Sequence, residues 1–521
     1  MRVARWLLPV LAWVSSGAHA ADVRFEDARA ALPVAHVYSG GWEHFVGGGL
    51  ATFDCNGDGF PEMYAAGGAG PARLFVNRTA GRGEALAFDL GTDLPELTGV
   101  TGAYPLDVDN DGILDLAVLR VGPNVLLRGE GDCRFSDATS EFGFEAGDRW
   151  STAFSATWET GNDLPTLAVG NYVDRTDPDG PFEACDVNEL HRPDGAAFRA
   201  PELLEPGFCA LSMLFSDWTR TGARDLRVSN DRHYYVRGGS EQMWRMGDRP
   251  RLLGAEDGWE DISIWGMGIA SRDLNDDGRP DLVLTSMADQ LTLLSDGRSG
   301  YRLAPYEIGT FAQRPHLGDD GRPSTGWTAQ FGDVDNDGRD DLFIAKGNVD
   351  QMPTNAINDP NNLLIRQADG TFSEASVEAG VATTDRSRGA VLADFDGDGR
   401  QDLAVVNRRA PMELYRNVTE GTGAWLTIAP RQQGANGYGV GSWLEVRLPD
   451  GRVAAREVTV GGYHVSGRSV PEHFGLGDAA HVDLRVIWPD GATSGWVTVP
   501  VNQSIQVWRR GDAELDIDPQ D

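Results

Sequence analysis

The chain has 521 residues, of which 41% are hydrophobic and 24% are charged, and its formal net charge is −34. This composition supports a large buried core together with a second, small domain, and it excludes an intrinsically disordered protein. The excess of acid argues against nucleic acid as a partner, because phosphates require a basic surface. It also argues against simple adsorption to anionic lipid.

The first twenty residues have the layout of a secretory signal peptide. Arg2 and Arg5 precede an apolar stretch over residues 6–14, and small residues mark a cleavage position after Ala20. A membrane anchor is the alternative, but the stretch is shorter than the roughly 20 residues that span a bilayer. We therefore expect residues 1–20 to be removed. The mature chain should be secreted, to the extracellular space or the periplasm, without an integral membrane segment.

Five acidic loops of the form D-x-[DN]-x-D-G-x-x-[DE] recur between residues 54 and 402. Ca²⁺ binds six to eight oxygens, and side chains at alternate positions of a tight loop can all point at one ion. The glycine at the sixth position allows the sharp turn that this requires. An acidic surface turn is the alternative for any single copy, but the repetition favours about five calcium sites. The predicted metal ligands are Asp54, Asn56, Asp58, Glu62, Asp107, Asp109, Asp111, Asp115, Asp273, Asn275, Asp277, Asp281, Asp333, Asp335, Asp337, Asp341, Asp394, Asp396, Asp398 and Asp402.

These loops are not EF-hands. An EF-hand closes with a glutamate at the twelfth loop position, where this chain has apolar residues such as Val118 and Ile344. A short apolar run follows four of the loops, at residues 116–119, 282–284, 342–344 and 403–406. Runs of this length and composition predict that each loop leads into a buried strand.

Two degenerate copies of the loop continue the periodicity between the second and third of these five acidic loops. One contains Glu159, Gly161 and Asp163, and the other contains Asp217, Thr219, Gly222 and Asp225. The copies then begin at residues 54, 107, 159, 217, 273, 333 and 394. A repeating unit of this size, holding several short strands, predicts an all-β fold, a seven-bladed β-propeller over residues 21–416. An open solenoid is the alternative. We expect the two degenerate copies to bind no ion.

A repeated five-residue sequence motif, which we call the phrase, predicts how the ring closes. Residues 135–139 and 372–376 carry similar sequences near the end of a unit, and residues 25–29 resemble both. No such phrase follows the seventh loop before the next domain begins. We therefore expect the N-terminal segment to supply the outer strand of the last blade, which leaves no open sheet edge.

The four cysteines have a disulfide-permitting context if the chain is exported. Cys185 and Cys209 lie in a polar, proline-containing insertion and make one sensible pair, which leaves Cys55 and Cys133 as the other, although four cysteines allow three pairings. The insertion interrupts the repeat over residues 172–208. We interpret it as a surface excursion; a binding loop is the alternative. It contains Arg175, His191, Arg192 and Arg199.

A different all-β pattern begins at about Asn417. Candidate strands occupy residues 424–428, 443–447, 482–487 and 504–508. Pro-Asp-Gly turns, which are common between strands, lie at residues 449–451 and 489–491. We predict a small β-sandwich or barrel-like domain over residues 417–510 and an acidic, disordered tail over residues 511–521.

The acidic loops resemble FG-GAP or VCBS repeats. Residues 434–441, 473–477 and 488–491 resemble the ASPIC/UnbV domain, so that nearly the whole mature chain is similar to the cartilage acidic protein family. The resemblance implies an extracellular, calcium-binding propeller. It implies no established chemical activity.

The sequence contains no recognisable catalytic signature. Neither G-x-S-x-G nor H-E-x-x-H occurs, so we expect no catalytic residues. We interpret His473 as a structural histidine that holds a turn; a ligand or catalytic role is the alternative. The leading hypothesis is a recognition or adhesion protein for a protein or glycan partner. The alternative is a secreted or biosynthetic enzyme, glycan-active or tailoring, with a site on the propeller axis or at the domain junction.

Overall fold

The structure is a computed structural model. It describes residues 22–520, except 146, 179, 181–183, 232–238, 289, 298–299, 313–321 and 351. The predicted signal peptide, residues 1–20, lies outside the described residues. Among the described residues, no helix combines the length and the apolar character needed to cross a membrane.

Strand β1 is Phe25–Asp27, and it is followed by four-stranded antiparallel meanders in chain order. The first contains β2 (Leu50–Phe53), β3 (Glu62–Ala65), β4 (Arg73–Asn77) and β5 (Phe88–Leu90). The second contains β6 (Val100–Leu106), β7 (Asp115–Gly122), β8 (Val125–Gly129) and β9 (Phe135–Asp137). The third contains β10 (Arg149–Thr157), β11 (Thr166–Asn171), β12 (Asn188–His191) and, after a small hairpin of β13 (Pro193–Asp194) and β14 (Ala197–Phe198), β15 (Glu202–Leu204).

The remaining meanders repeat this plan. The fourth contains β16 (Ala210–Ser216), β17 (Asp225–Asn230), β18 (Gln242–Arg245) and β19 (Arg251–Leu252). The fifth contains β20 (Gly266–Arg272), β21 (Asp281–Ala288), β22 (Leu291–Ser295) and β23 (Tyr301–Leu303). The sixth contains β24 (Ser324–Gly332), β25 (Asp341–Lys346), β26 (Asn362–Arg366) and β27 (Phe372–Glu374), and the seventh begins with β28 (Arg386–Ala393), β29 (Asp402–Arg408) and β30 (Glu413–Asn417). Short 3₁₀ helices lie at Arg29–Ala31, Trp42–His44, Ala255–Asp257 and Tyr306–Ile308.

The first strands of the meanders form a closed ring. Each contacts the first strand of the next meander, and β28 of the last contacts β2 of the first. All seven first strands are largely buried, because side chains of adjacent meanders cover both of their faces. We interpret each meander as one blade. The all-β, propeller-type prediction is confirmed, and the apolar runs after the loops lie in β7, β21, β25 and β29 as expected.

The prediction that the N-terminal segment supplies the outer strand of the last blade is confirmed. Strand β1 pairs antiparallel with β30, with Phe25 opposite Asn417, and so completes the seventh meander. The two other copies of the phrase form β9 and β27, the outer strands of their meanders. Phe25, Phe135 and Phe372 are all buried, which explains why the phrase begins with an aromatic residue.

The C-terminal domain is a sandwich of two four-stranded sheets. Its strands are β31 (Ala424–Arg431), β32 (Trp443–Arg447), β33 (Val453–Glu457), β35 (Glu472–Gly477), β36 (His481–Ile487), β37 (Val497–Pro500), β38 (Gln503–Arg510) and β39 (Glu514–Gln520). The short β34 (Arg468–Ser469) lies between β33 and β35 in the chain but belongs to neither sheet. One sheet has the order β35-β31-β38-β39 and the other β33-β32-β36-β37. Apolar side chains from both, including Leu426, Leu444 and Trp488, form one core between them.

The disordered tail predicted for residues 511–521 is wrong over Glu514–Gln520. These residues form β39, which pairs antiparallel with β38 along its length. Leu515 and Ile517 pack against the sandwich core. Arg510 pairs with Asp516 at 2.7 Å and offsets part of the acidic charge.

The interpretation of residues 172–208 as a surface excursion is also wrong in part. This segment supplies β12 and β15, the two outer strands of the third meander. His191 and Arg192 are consequently buried. Both expected disulfides, Cys55–Cys133 and Cys185–Cys209, are present.

The axial segment, which we define as residues 460–469, leaves the C-terminal domain and enters the ring. It contacts the first strands of meanders one to six, through bonds such as Gly462 N to Met213 O at 2.6 Å and Thr52 N to Gly467 O at 3.0 Å. Its last two residues form β34, which pairs in parallel with β2. The two domains are therefore interlocked, and the propeller axis considered for a catalytic site is filled by this chain itself.

Candidate metal centres

Each acidic loop joins the first strand of a meander to the second, and its first aspartate holds the turn together. One carboxylate oxygen accepts a hydrogen bond from the N–H of the sixth-position glycine. The distances from Gly59, Gly112, Gly278, Gly338 and Gly399 to Asp54, Asp107, Asp273, Asp333 and Asp394 are 2.9, 3.1, 2.8, 2.7 and 2.8 Å. These glycines have φ between +78° and +89°, a region in which a Cβ is strained, so the sequence pattern requires glycine there.

The ninth-position acid connects the loop to the rest of the meander. In the second copy, Asp115 Oδ2 accepts the N–H of Val108 at 2.8 Å, and its Oδ1 accepts the N–H of Gly129 from the third strand at 2.8 Å. Asp281, Asp341 and Asp402 make the equivalent pair of bonds. These bonds fix the carboxylate from two directions, and a preorganised ligand loses little entropy on binding.

Three of the five loops bring three carboxylates together. The groups are Asp107, Asp109 and Asp115; Asp333, Asp335 and Asp341; and Asp394, Asp396 and Asp402, each with carboxylate oxygens within 4.8 Å of one another. They occupy the first, third and ninth loop positions. The other two loops have Asn56 and Asn275 at the third position, so only two acids of this type are available there. Oxygen-only donor sets of this kind suit a hard divalent cation.

The fifth-position acids lie outside these groups. Asp58 and Asp111 are exposed, and each accepts a hydrogen bond from the N–H two residues further on, at 2.9 and 2.8 Å. Asp337 and Asp398 pair with Arg339 and Arg400.

The sequence prediction overlooked the arginines beside the loops. Arg128 Nε donates to Asp109 at 2.9 Å, and Arg416 Nε donates to Asp396 at 2.6 Å. Arg128 and Arg416 lie on the third strands of their meanders, outside the loop pattern, so the sequence near the loops gave no indication of them. Arg339 and Arg400 follow the sixth-position glycine, so a D-G-R pattern could have identified them.

Burial and mutual repulsion disfavour the ionised form of the converging carboxylates. Burial raises the pKa of Asp107 to about 6 and that of Asp115 to about 8. Burial, and then the neighbouring carboxylates, raise the pKa of Asp333 and Asp402 well above the usual range. A bound cation supplies the charge that would keep such groups ionised.

The first acid of each degenerate loop is hydrogen-bonded within the protein. Glu159 accepts hydrogen bonds from Arg192 Nε at 3.2 Å and Nη2 at 2.8 Å. Asp217 accepts hydrogen bonds from the N–H groups of Thr221 and Gly222 at 2.8 and 2.9 Å. The third and fifth positions of this loop are Thr219 and Thr221, which carry hydroxyls instead of carboxylates. The expectation that these copies bind no ion stays a prediction.

The acidic loops lie on the face of the ring that contacts the C-terminal domain. In the sixth meander, Asn336 Oδ1 hydrogen-bonds to His473 Nε2 at 2.7 Å, and Arg452 Nη1 donates to Gly338 O at 2.7 Å. In the second meander, Tyr438 Oη donates to Gly112 O at 3.0 Å. His473 is buried, and burial lowers its pKa to about 3. These contacts support the structural interpretation of this histidine.

Two adjoining cavities separate part of this face from the C-terminal domain. Their volumes are about 490 and 350 Å³, and they share the lining residues Gly59, Arg468 and Ser504. We call them together the interdomain cleft. It is bounded on the ring side by the loops that begin at Asp54, Asp107 and Asp394.

Comparison with known protein families agrees with this architecture. The FG-GAP-like repeat family matches residues 54–118, 273–344 and 347–405, and the ASPIC and UnbV family matches residues 432–514. The chain therefore contains FG-GAP-like repeats and a C-terminal ASPIC and UnbV domain. It is similar to cartilage acidic protein 1: the Mus musculus protein is 25% identical over 250 residues and the Homo sapiens protein is 25% identical over 247 residues.

These matches cover 46% of this chain but only 36% and 35% of the mouse and human proteins. The chain thus spans about a third of the length of the curated relatives it matches. Among solved structures, BBS1N in complex with ARL6DN is 10% identical, with a TM-score of 0.43 over 77% of this chain and 98% of that chain. An Agrocybe aegerita lectin that recognises non-reducing terminal N-acetylglucosamine is 15% identical, with a TM-score of 0.29 over 72% of this chain and 81% of its own.

Proposed function

We propose that this protein is a secreted, calcium-binding recognition protein in which a rigid ring presents its surfaces to a protein or glycan partner. The observation that carries the proposal is the convergence of three carboxylates within 4.8 Å in each of three loops. Buried carboxylates at this spacing repel one another, and a divalent ion with a preference for oxygen ligands offsets that repulsion. The loops that begin at Asp54 and Asp273 would complete a set of about five ions with amide oxygens.

In this proposal the ions are structural. Each would join the two inner strands of a meander at the loop, beside the C-terminal domain, and stiffen the surface that recognises the partner. The two disulfides are compatible with an oxidising compartment, which supports secretion. Cell fractionation that recovers the full-length protein in the cytoplasm with free thiols would contradict this localisation.

Metal analysis tests the proposal directly. Protein dialysed against trace calcium should retain about five ions per chain, as measured by elemental analysis and native mass spectrometry. Removing the ions with a chelator should lower the melting temperature, because a ligand held only by the folded state contributes about 2.7 kcal/mol at 100 times its Kd. The control replaces calcium with magnesium at the same concentration in both measurements. No bound calcium, or an unchanged melting temperature after complete removal, would contradict the proposal.

The interdomain cleft favours a second candidate function, that of an enzyme whose site lies at the domain junction. Pockets between domains often hold small molecules, and this one combines carboxylates with Arg431, Arg468 and His473. The His473 ring is engaged with Asn336, however, and Arg468 pairs with Glu472 at 2.7 Å. Turnover of a glycan by the purified protein, abolished by Glu472→Gln, would favour the enzyme over the recognition protein.

A further inference from the structure

The interdomain cleft has one wall made from a single sheet face. Along β31, Trp425, Thr427, Ala429 and Arg431 line the cleft, whereas Leu426 belongs to the sandwich core; Ile428 belongs to that core and also borders the cleft. Strand β38 continues this face: Ser504, Gln506 and Trp508 lie opposite Thr427, Ala429 and Arg431. The alternation follows from the two-residue period of a strand. The acidic loops form the other wall.

The chemistry of the cleft changes along its length. Trp425 and Phe60 supply aromatic carbon at one end, and Arg431 lies at the other end. Six residues of strand separate Trp425 from Arg431, which corresponds to about 20 Å. Arg468 lines both cavities and is paired with Glu472 at 2.7 Å. The site is therefore elongated, with an apolar platform at one end and, at the other, an arginine without a carboxylate partner among the described residues.

Arg431 has donor capacity that the protein does not use. Its guanidinium stacks on the ring of Tyr438 at 4.2 Å, and its Nη1 donates to Pro430 O at 3.0 Å. Across the described part of the chain, no carboxylate lies within ion-pair distance of it. A guanidinium carries five N–H donors in a geometry that matches a carboxylate or a sulfate. The ligand should therefore carry an anionic group at this end.

We propose that the interdomain cleft binds an acidic oligosaccharide, with a sugar ring at the end lined by Trp425 and Phe60 and a carboxylate or sulfate group on Arg431. Aromatic faces and side-chain hydroxyls suit sugar rings. A peptide is less suited, because peptides commonly pair with a free strand edge, and this wall is a sheet face. The inference rests on the proposed function in one respect: Asp54, Asp107 and Asp394 on the opposite wall would repel an anion unless their loops hold calcium.

Titration calorimetry on the calcium-loaded full chain tests this. Tetragalacturonate should bind at least tenfold more tightly than the neutral maltotetraose or the acidic peptide tetraglutamate. Arg431→Gln should weaken tetragalacturonate binding at least tenfold, whereas Arg251→Gln, an exposed arginine of the fourth meander, should leave it unchanged. Gln506→Trp, which fills the cleft without removing a charge, should also abolish binding.

Three results would overturn the inference: equal affinities for the Arg431→Gln variant and the parent, binding of tetraglutamate as tight as that of tetragalacturonate, or no binding of the saccharide to calcium-loaded protein. Metal content is measured in the same samples. Failure with five ions bound therefore counts against the cleft alone, whereas failure to bind calcium counts against the proposed function. Melting curves of all three variants establish that they are folded.

Discussion

The backbone N–H of Gly47 donates a hydrogen bond of 3.3 Å to Nε2 of His464, and so joins the start of the first meander to the axial segment. The His464 ring is fully buried and lies 4.8 Å from the ring of Trp327. Burial lowers the pKa of His464 to about 3. Because Nε2 accepts this bond, the ring must be neutral for the two domains to interlock in this way.

The axial histidine predicts a loss of stability in acid. In the unfolded chain a histidine has a pKa of about 6.5, so lowering it to about 3 in the folded state favours the neutral form. The contribution is present above about pH 6.5 and is lost as the pH falls from there towards about 3. His464→Gln should therefore reduce the decline in the free energy of unfolding between pH 6.5 and 4, measured by urea denaturation in calcium buffer. The exposed His481→Gln is the control. Parallel pH profiles for His464→Gln and the parent would rule out this role.

Two glycines make room for the axial segment. A Cβ added to Gly49 or Gly102 would lie 1.8 or 2.0 Å from the carbonyl oxygen of Val465. Since both contacts are with backbone, neither is relieved by a rotamer change. Gly102→Ala should lower the free energy of unfolding by about 1–3 kcal/mol, as overpacking does, and should increase protease cleavage within residues 460–469. Gly247→Ala, where a Cβ meets nothing within 4 Å, should change stability by less than about 0.5 kcal/mol. Similar losses for both variants would contradict the interlocking of the domains.

The loops and their strands were predictable because their determinants are local. An aspartate, a glycine five residues later and a second acid fix the turn, and Leu116 or Leu342 after them marks the buried strand. The closing strand was predictable for the same reason, since Phe25 begins a phrase that recurs at Phe135 and Phe372.

The axial segment was not predictable, because tertiary contacts decide its conformation. Residues 461, 462 and 467 are glycines, which is typical of a surface loop. Tyr463 and Val465 adopt φ values of 50° and 43°, which their own propensities disfavour. The prediction of a disordered C-terminal tail was wrong for a related reason. Its acidic residues suggested a solvated segment, whereas the alternating Leu515 and Ile517 form a strand only because β38 offers an edge.

The two disulfides should differ in their effect on stability. Cys55–Cys133 closes 78 residues of chain and Cys185–Cys209 closes 24, so the longer closure should stabilise by about 1 kcal/mol more. Cys55 also occupies the second position of the first acidic loop. The Cys55→Ser and Cys133→Ser double variant should therefore lose more stability than the Cys185→Ser and Cys209→Ser variant, by urea denaturation, and should bind one calcium ion less tightly. Equal calcium affinities in the two variants would show that this disulfide does not position the loop.

Two aspartates, one in an acidic loop with three converging carboxylates and one in a degenerate loop, separate calcium binding from turn geometry. Asp335 belongs to a group of three converging carboxylates, whereas Asp217 belongs to a loop whose third and fifth positions are threonines. Asp335→Ala should remove one ion and leave the other sites occupied, because neighbouring repeats bind largely independently. Asp217→Ala should leave the ion count unchanged, yet it should lower stability by about 1–3 kcal/mol, because two backbone N–H groups lose their acceptor. Native mass spectrometry gives the ion count and urea denaturation gives the stability. Loss of an ion in Asp217→Ala would mean that the degenerate loop also binds metal, and an unchanged count in Asp335→Ala would contradict the ligand assignment of the sixth meander.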